Sequence, residues 1–296
     1  MKSEKNASQT LVRAERRASL SGPIFIVLSA LFWSTSGVLI KYIPWHPMAI
    51  ASGRSLIAAL VMALFFGRRV WRKPNFITLL SSLCMGLTQS LYIIANKLTT
   101  AANAIMLQYV SPIFIMIIGA IFLHVRPTKR EIIVSIIAFS GIFLFFFDNM
   151  SAGNQIGNAL ALFTGLTFAV VFVINGRPEC HSESALVMGQ LLTMLAGLPF
   201  LVQVDNVVPV HVLALVLLGT CQLALGYILF NRGIHLTSPL NASLISMIEP
   251  IMNPVWVLIF IGEKPGPLAL LGGLTVISAI LFLNLEKLKR GHFKNP

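Results

Sequence analysis

Long apolar runs, separated by short polar connections, follow one another along the chain. A helix that spans a membrane needs about 20 predominantly apolar residues, and the connections are rich in the turn formers Pro, Gly and Asn. The pattern predicts an all-α integral membrane protein with ten transmembrane helices, at roughly 23–43, 47–66, 76–95, 101–122, 130–147, 156–175, 184–203, 210–230, 239–260 and 266–285.

The overall composition agrees with this pattern. Of the 296 residues, 56% are hydrophobic and 11% are charged, whereas a soluble domain carries about 25% charged residues. The surplus of apolar surface indicates that the partner of the chain is a lipid bilayer. The connections are too short to hold a separate soluble domain.

The formal net charge of +12 raises the question of nucleic-acid binding. The basic residues, however, concentrate in the tails and in short connections, where they follow the positive-inside rule of membrane proteins. They predict cytoplasmic basic tails at 1–22 and 286–296, and therefore both termini in the cytoplasm. The membrane topology thus accounts for the positive charge, and we expect no nucleic-acid partner.

Motifs of cofactor or metal chemistry are missing from the sequence. The three cysteines form no C-x-x-C pair, and the six histidines follow no H-E-x-x-H spacing. There is no Gly-rich phosphate loop for ATP-driven pumping and no G-x-S-x-G elbow. We therefore expect no cofactor, no metal and no catalytic residue.

An internal repeat divides the chain. The segment "ANAIMLQYVSPIFIM" (102–116) corresponds to "LNASLISMIEPIMNP" (240–254), so that Pro112 is matched with Pro250. Each half then contains five predicted helices, at 23–147 and 156–285. Because five is odd, the second half enters the membrane from the opposite side, an inverted repeat typical of secondary transporters with a binding site between the halves.

Several segments carry a resemblance to a known family. The sequence resembles the EamA-type branch of the drug/metabolite transporter superfamily in "LFWSTSGVLIK", "MAIASGRSLIAAL", "ANAIMLQYVSPIF", "LNASLISMIEPI" and "IFIGEKP". It departs at Val125, where the family pattern has an acidic residue that only the second half keeps, as Glu263. The resemblance implies a ten-helix metabolite transporter of a bacterial inner membrane, often an exporter, and names no substrate.

Two charged residues, Arg54 and Glu249, lie well inside predicted helices rather than at their ends. A charge in the bilayer is costly unless it is paired, protonated or hydrated. Glu249 is therefore either a cavity residue that binds substrate or a coupling proton, or a structural partner of Arg54. Arg54 itself is either an anchor for a substrate carboxylate or a structurally paired or snorkelling arginine.

Polar residues also recur at helical spacing. Gln89, Tyr92 and Asn96 share one face of the third helix, and polar faces in lipid turn inward. Their repeat partners in the second half are Gln222, Tyr227 and Asn231. Each residue alone fits helix–helix hydrogen bonding, but together they predict a central cavity. The predicted substrate-binding residues are Trp33, Gln89, Tyr92, Asn96, Gln108, Tyr109, Gln222, Tyr227, Asn231, Asn241, Ser246 and Glu249.

The sequence thus favours a secondary active transporter of small polar metabolites, led by amino acids, that works by alternating access, and the family resemblance adds export as an expectation. The rival class is an integral-membrane enzyme that modifies lipid, which would need a catalytic cluster at one membrane interface. Direction, coupling ion and oligomeric state stay open at this point.

Overall fold

The computed structural model describes residues 21–99, 101–147, 154–205, 207–261 and 266–291. The predicted N-terminal tail lies almost entirely outside these ranges, as does Glu263. Within them the protein is helical and contains no strand. The helices are α1 (Ser21–Trp33), α2 (Ser36–Lys41), α3 (Pro47–Phe66), α4 (Phe76–Leu98), α5 (Ala101–Gln108), α6 (Ser111–Phe122), α7 (Lys129–Phe146), α8 (Gln155–Asn175), α9 (Ser182–Leu201), α10 (Pro209–Leu217), α11 (Gly226–Ile234), α12 (Pro239–Ser246), α13 (Ile248–Ile261) and α14 (Pro267–Gly291).

Seven helical segments of the described chain are long and apolar enough to cross a membrane, so the protein is a multi-pass membrane protein. They are Pro47–Trp71, Phe76–Asn96, Asn103–Phe122, Gln155–Asn175, Ser182–Leu201, Pro209–Ile234 and Pro267–Asn284.

The other three predicted spans are helical but differ from these seven. α1 ends at Trp33 and the chain turns before α2 begins. α7 has 18 residues, but its first turn carries Lys129, Arg130 and Glu131, which keep that turn near water. The segment predicted at 239–260 is divided at Met247. The last predicted span, 266–285, agrees with the apolar segment Pro267–Asn284, and α14 continues beyond this segment to Gly291.

Helix starts follow local chemistry. Asn75 and Asn154 accept backbone hydrogen bonds at the starts of α4 and α8, and Thr128 forms a capping box with Glu131 at the start of α7. Such side chains satisfy the free N–H groups of a first turn. They set the position at which each long helix enters the bundle.

Small residues let the helices approach closely, which is the usual basis of helix packing in lipid. In the α3–α9 pair, Gly197 faces the backbone of Met48, and Ser52 Oγ donates to the carbonyl of Met194 over 2.7 Å. In the α7–α14 pair, Gly141 and Gly272 lie against each other. Close packing and hydrogen bonds of this kind hold the bundle together, because the hydrophobic effect contributes little between helices in lipid.

The two ends of the bundle are defined by loop contacts. At one end Asn75 Nδ2 donates to the carbonyl of Glu179 over 2.7 Å, and Arg69 pairs with Glu183 at 3.8 Å. We call this the arginine end. At the opposite end the rings of His46 and Phe200 stack at 4.3 Å, and we call it the stacked-ring end.

Candidate functional site

A break in one helix places Glu249 at a new helix start. α12 ends at Ser246, Met247 turns the chain, and Glu249 lies in the first turn of α13 with Pro250 next to it. A proline near a helix start costs little, because first-turn N–H groups have no partner within the helix. A carboxylate there is also favoured by the helix dipole. Pro250 therefore marks a start rather than a kink.

The corresponding segment of the first half is broken in the same way. α5 ends at Gln108, and α6 begins at Ser111 with Pro112 in its first turn. The matched prolines thus open the second part of both discontinuous helices. In this match Ser111 occupies the position of Glu249, so only the second break carries an acid.

The two breaks contact each other. Ser111 Oγ lies 2.9 Å from Ser243 Oγ, and Tyr109 Oη donates to Glu249 Oε2 over 2.8 Å. The same hydroxyl lies 3.2 Å from the carbonyl oxygen of Ser246. Side chains of one half therefore satisfy polar groups that the break exposes in the other half.

A cavity of about 350 Å³ lies beside these breaks. Its lining residues Ile40 and Pro47 are exposed, and together with Asn96 they lie at helix ends near the stacked-ring end of the bundle, where we place its mouth. Most of the residues that the sequence singles out line it. They are Trp33, Arg54, Gln89, Tyr92, Asn96, Gln108, Tyr109, Gln222, Tyr227 and Glu249.

The structure places three of the predicted residues away from this lining. Asn241 Nδ2 donates to Asn284 Oδ1 over 2.9 Å and joins α12 to α14. Ser246 Oγ donates back to the carbonyl of Ala242, so only its own carbonyl faces Tyr109. Asn231 is buried in α11 and is not part of the cavity wall. A shared polar stripe does not ensure that all of its members reach one cavity.

A π-helical segment, Leu218–Leu225, joins α10 to α11. The spacing of Gln89 and Tyr92 in α4 is three residues, whereas their matched residues Gln222 and Tyr227 are five apart. Five residues of α-helix would turn these two side chains away from each other. Because π-helical hydrogen bonds join residues i and i+5, the segment keeps both on the cavity side.

Arg54 is held by an amide. Its Nη1 donates to Gln222 Oε1 over 3.4 Å, and Gln222 Nε2 donates to the carbonyl of Trp33 over 3.4 Å. Arg54 Nε has no hydrogen-bond partner within the described residues. No nitrogen of Arg54 lies within 4.0 Å of a Glu249 oxygen, so the direct pair considered from the sequence does not form in this conformation.

Aromatic rings form the floor of the cavity. Trp33 lies 4.8 Å from Tyr227 and 6.4 Å from Phe168, and Phe172 continues the cluster at 4.7 Å from Phe168. Trp33 Nε1 has no partner among the described polar atoms. Phe168 was not predicted, since a phenylalanine in an apolar run gives no sign of whether it faces lipid or a cavity.

The lining combines a cation, a carboxylate, three tyrosines and several amides. Arg54 and Glu249 are the charged residues among the described lining, and the amide Nε2 of Gln89 has no partner there. Nothing in the described residues gathers three or more metal-ligating side chains. The site offers separate positive and negative groups, hydrogen-bond donors and an aromatic wall.

Discontinuous helices that meet at a polar cavity inside a helical membrane protein are typical of membrane transporters. The sequence comparison agrees with this class. Residues 20–147 and 155–285 match the EamA-like transporter family, and the chain belongs to that family.

Curated relatives are named as transporters. The chain is 26% identical to the uncharacterized transporter YwfM of Bacillus subtilis, over 86% of this chain and 93% of the relative. It is 24% identical to a probable terminal-alkyne amino-acid exporter of Streptantibioticus cattleyicolor, over 90% of this chain and 94% of that protein.

A solved crystal structure shows the same fold. It superposes with a TM-score of 0.76 at 16% sequence identity, and the match covers 90% of this chain and 97% of the other. At this identity the likeness concerns the fold alone.

Proposed function

We infer that the protein is a secondary active exporter of small zwitterionic metabolites, with amino acids as the leading class. The observation that carries this proposal is the pair of opposite charges in one cavity, Arg54 and Glu249, which do not neutralise each other directly. A zwitterion supplies both partners at once, its carboxylate for Arg54 and its ammonium for Glu249. Charge-assisted hydrogen bonds of this kind are roughly twice as strong as neutral ones.

Alternating access requires two halves that can rock against each other. The proposal assigns ten spans to two inverted halves, 23–147 and 156–285. In its support, matched helices pack together, α3 against α9 and α7 against α14. The matched breaks before Pro112 and Pro250 also meet. Similar elements that meet in this way can exchange their roles when the opening changes sides.

The proposed orientation follows from the basic residues. Five basic residues lie at the arginine end, namely Arg68, Arg69, Arg72, Lys73 and Arg177. By the positive-inside rule this end faces the cytoplasm, and both termini do so as well. The membrane is the inner membrane of a bacterium, and the chain binds lipid rather than nucleic acid.

In this orientation the cavity faces outward. Its mouth is near the stacked-ring end, and the aromatic cluster around Trp33 and Phe172 separates it from the arginine end. The structure then corresponds to the outward-facing state, in which an exporter releases its substrate. Glu249 is the proposed proton site for coupling, since it is the carboxylate of the lining.

One relative bears on the substrate. The Streptantibioticus protein is named as a probable terminal-alkyne amino-acid exporter, and an amino acid is a zwitterion of the kind the cavity suits. Membership of a transporter family gives no support to the alternative considered from the sequence, a lipid-modifying enzyme. Ser182 Oγ does lie 3.0 Å from His235 Nε2, but this contact lies outside the cavity.

A binding experiment on purified protein tests the substrate class. Each common amino acid is compared with its amide, which lacks the carboxylate, and with its des-amino acid, which lacks the ammonium. We expect at least one amino acid to raise the unfolding temperature, and both of its analogues to fail. Equal stabilisation by an amide or a des-amino acid would contradict the zwitterion proposal.

Export itself is tested with proteoliposomes loaded with the amino acid found in this way. Efflux should depend on an imposed pH gradient, and empty liposomes provide the control. Specific binding without any movement of the bound compound would contradict the transport proposal.

A further inference from the structure

The hydroxyl of Tyr109 has one proton and two acceptors. Tyr109 is 4% exposed, and its Oη lies 2.8 Å from Glu249 Oε2 and 3.2 Å from the carbonyl oxygen of Ser246. An O–H group donates one good hydrogen bond at a time. The proton of Tyr109 therefore goes to one of the two acceptors, and the charge on Glu249 decides which.

We propose that Tyr109 is a positioning residue that acts as a proton-controlled hydrogen-bond switch between Glu249 and the break in α12–α13. When Glu249 is a carboxylate, Tyr109 donates to it. When a proton binds to Glu249, the carboxylic acid donates to Tyr109 Oη, and Tyr109 donates to the carbonyl of Ser246. One O–H bond forms, between the added proton and a carboxyl oxygen of Glu249, and no bond between heavy atoms changes.

The second acceptor is a carbonyl that the break leaves free. In a continuous helix the N–H of residue 250 would donate to the carbonyl of residue 246, but Pro250 has no N–H. A buried carbonyl without a partner is costly. Tyr109 donates its hydrogen bond fully to this carbonyl only when Glu249 is protonated. Protonation thereby ties the end of α12 to the turn between α5 and α6.

The neighbouring contact makes this tie effective. Ser111 Oγ and Ser243 Oγ already join the same two broken helices at 2.9 Å. A second hydrogen bond at Ser246 makes the junction more rigid, and its loss on deprotonation releases one of two connections. The switch therefore links the charge on Glu249 to the freedom of the two breaks to move against each other.

Other charged and titratable groups face Glu249 from the surrounding helices. They are Arg54 on α3, Tyr92 on α4 and Tyr227 on α11. The described side chains of α2 and α14, which also pack against α13, include no titratable group. Of these groups only Tyr109 donates a hydrogen bond to Glu249 among the described residues, so it alone can respond by changing its acceptor.

The inference rests on the proposed function, since it assumes that Glu249 takes up a proton during the cycle. Its test uses protons as the only ligand and so does not require the substrate. In a cysteine-free background, a cysteine at Ile40 reports the openness of the cavity mouth through its rate of reaction with a water-soluble maleimide. A cysteine at Tyr42, which is 49% exposed, corrects for ionisation of the thiol itself.

We expect the ratio of the two labelling rates to change by about tenfold between acidic and alkaline pH, the equivalent of one hydrogen bond. Tyr109→Phe removes only the hydroxyl, and Glu249→Gln removes the proton site. Either substitution should flatten the pH profile. Tyr42→Phe in the Ile40→Cys background should leave it unchanged.

An unchanged pH profile in Tyr109→Phe, together with a flat one in Glu249→Gln, would overturn the switch while leaving Glu249 as the proton site. A pH-dependent profile in Glu249→Gln would overturn both the switch and the coupling role of Glu249. A flat profile in the parent would also overturn the switch, although substrate binding by the zwitterion test could still hold.

A spectroscopic measurement avoids the need for a folded Tyr109 variant. Infrared difference spectra between acidic and alkaline pH should show the carboxyl band of Glu249, identified by its loss in Glu249→Gln. A tyrosine C–O band, identified by ring deuteration, should shift with the same pH midpoint because the hydroxyl changes its acceptor. A carboxyl band that titrates without a tyrosine shift would contradict the switch.

Discussion

Arg54 Nη1 donates to Gln222 Oε1 over 3.4 Å and does not form a direct ion pair with Glu249. Gln222 in turn donates to the carbonyl of Trp33, so the guanidinium is oriented by a chain of neutral groups. Breaking a buried ion pair would cost several kcal/mol, whereas an amide leaves the cation available to another anion. The arrangement suits a site in which the two charges take their partners from the substrate.

The first prediction concerns Glu249→Gln. Because no direct ion pair is lost, the unfolding free energy should change by less than about 1 kcal/mol, the range of a weak charge interaction. Transport should nevertheless fail or lose its dependence on pH. Denaturant unfolding in detergent and efflux from proteoliposomes measure the two effects. As a control, Glu179→Gln removes an exposed partner of Arg177, and this variant should transport normally. A loss of several kcal/mol of unfolding free energy in Glu249→Gln would instead support a structural role for Glu249.

The second prediction concerns Arg54→Gln. The substitution removes the cation that we assign to the substrate carboxylate, and the affinity for a zwitterion should fall by about tenfold or more, as expected for a hydrogen bond to a charged group. Arg54→Lys should recover part of the loss, since it keeps the charge but not the planar fork. Equilibrium binding measures both. The matched control is Arg232→Gln, which removes an exposed arginine above the ring of Phe65. Equal losses of affinity in Arg54→Gln and Arg232→Gln would argue against a specific role of Arg54.

The third prediction concerns Gly226→Ala at the start of α11. A Cβ there would overlap the indole ring of Trp33 at Nε1 and Cδ1. Since Trp33 forms the cavity floor with Tyr227, its displacement should reduce transport strongly. Gly119→Ala, whose Cβ would meet only the carbonyl of Val125 at 3.4 Å, should behave as the parent. Full activity in Gly226→Ala would show that the floor tolerates movement of the indole.

The fourth prediction concerns the helix pair α7–α14. In Gly272→Ala a Cβ would lie 2.5 Å from the carbonyl oxygen of Gly141 and from the nitrogen of Phe145, both backbone atoms. The helices would have to separate, at a cost of about 1–3 kcal/mol typical of overpacking. Thermal unfolding in detergent measures this cost. If the unfolding temperature did not fall, the close approach of these two helices would be wrong.

The fifth prediction concerns orientation. Reporter fusions at Pro296 and in the connection around Ser151 should report opposite sides of the membrane, with Pro296 in the cytoplasm. Both positions lie outside the described residues, so the experiment tests the ten-span topology independently of the fold. Signals from the same side would mean that the number of spans between them is even, which ten helices do not allow.

Much of the fold was readable from the sequence because lipid imposes strong rules on composition and helix length. The matched Pro112 and Pro250 indicated a repeat, and the structure shows what they share, the start of a second helix after a break. The spans predicted at 101–122 and 239–260 were continuous, so the division of each into two helices was not predicted. An apolar run looks the same whether or not one turn inside it leaves the helical hydrogen-bond pattern.

The sequence indicates which helix faces can line the cavity but not the contacts inside it. Tyr92 and Tyr227 both line it, and their role in substrate binding stays a prediction. The partner of Arg54 was not predictable, because Gln222 reaches it only through the π-helical segment. Periodicity gives the face of a regular helix, but a local change of helix type alters that face without any clear mark in the sequence.

The charge asymmetry between the two breaks has an electrical consequence. Ser111 stands where the second half has Glu249, so the described cavity lining carries one positive and one negative group. In the proposed transport cycle, these groups sum to zero when Glu249 is ionised, and membrane voltage would have little effect on reorientation of the empty carrier. With Glu249 protonated, Arg54 leaves a net positive charge, on which voltage acts with about 2.3 kcal/mol per 100 mV for a full crossing. A potential negative inside would then favour the return of the protonated carrier toward the cytoplasm, so that voltage and proton gradient drive the same step.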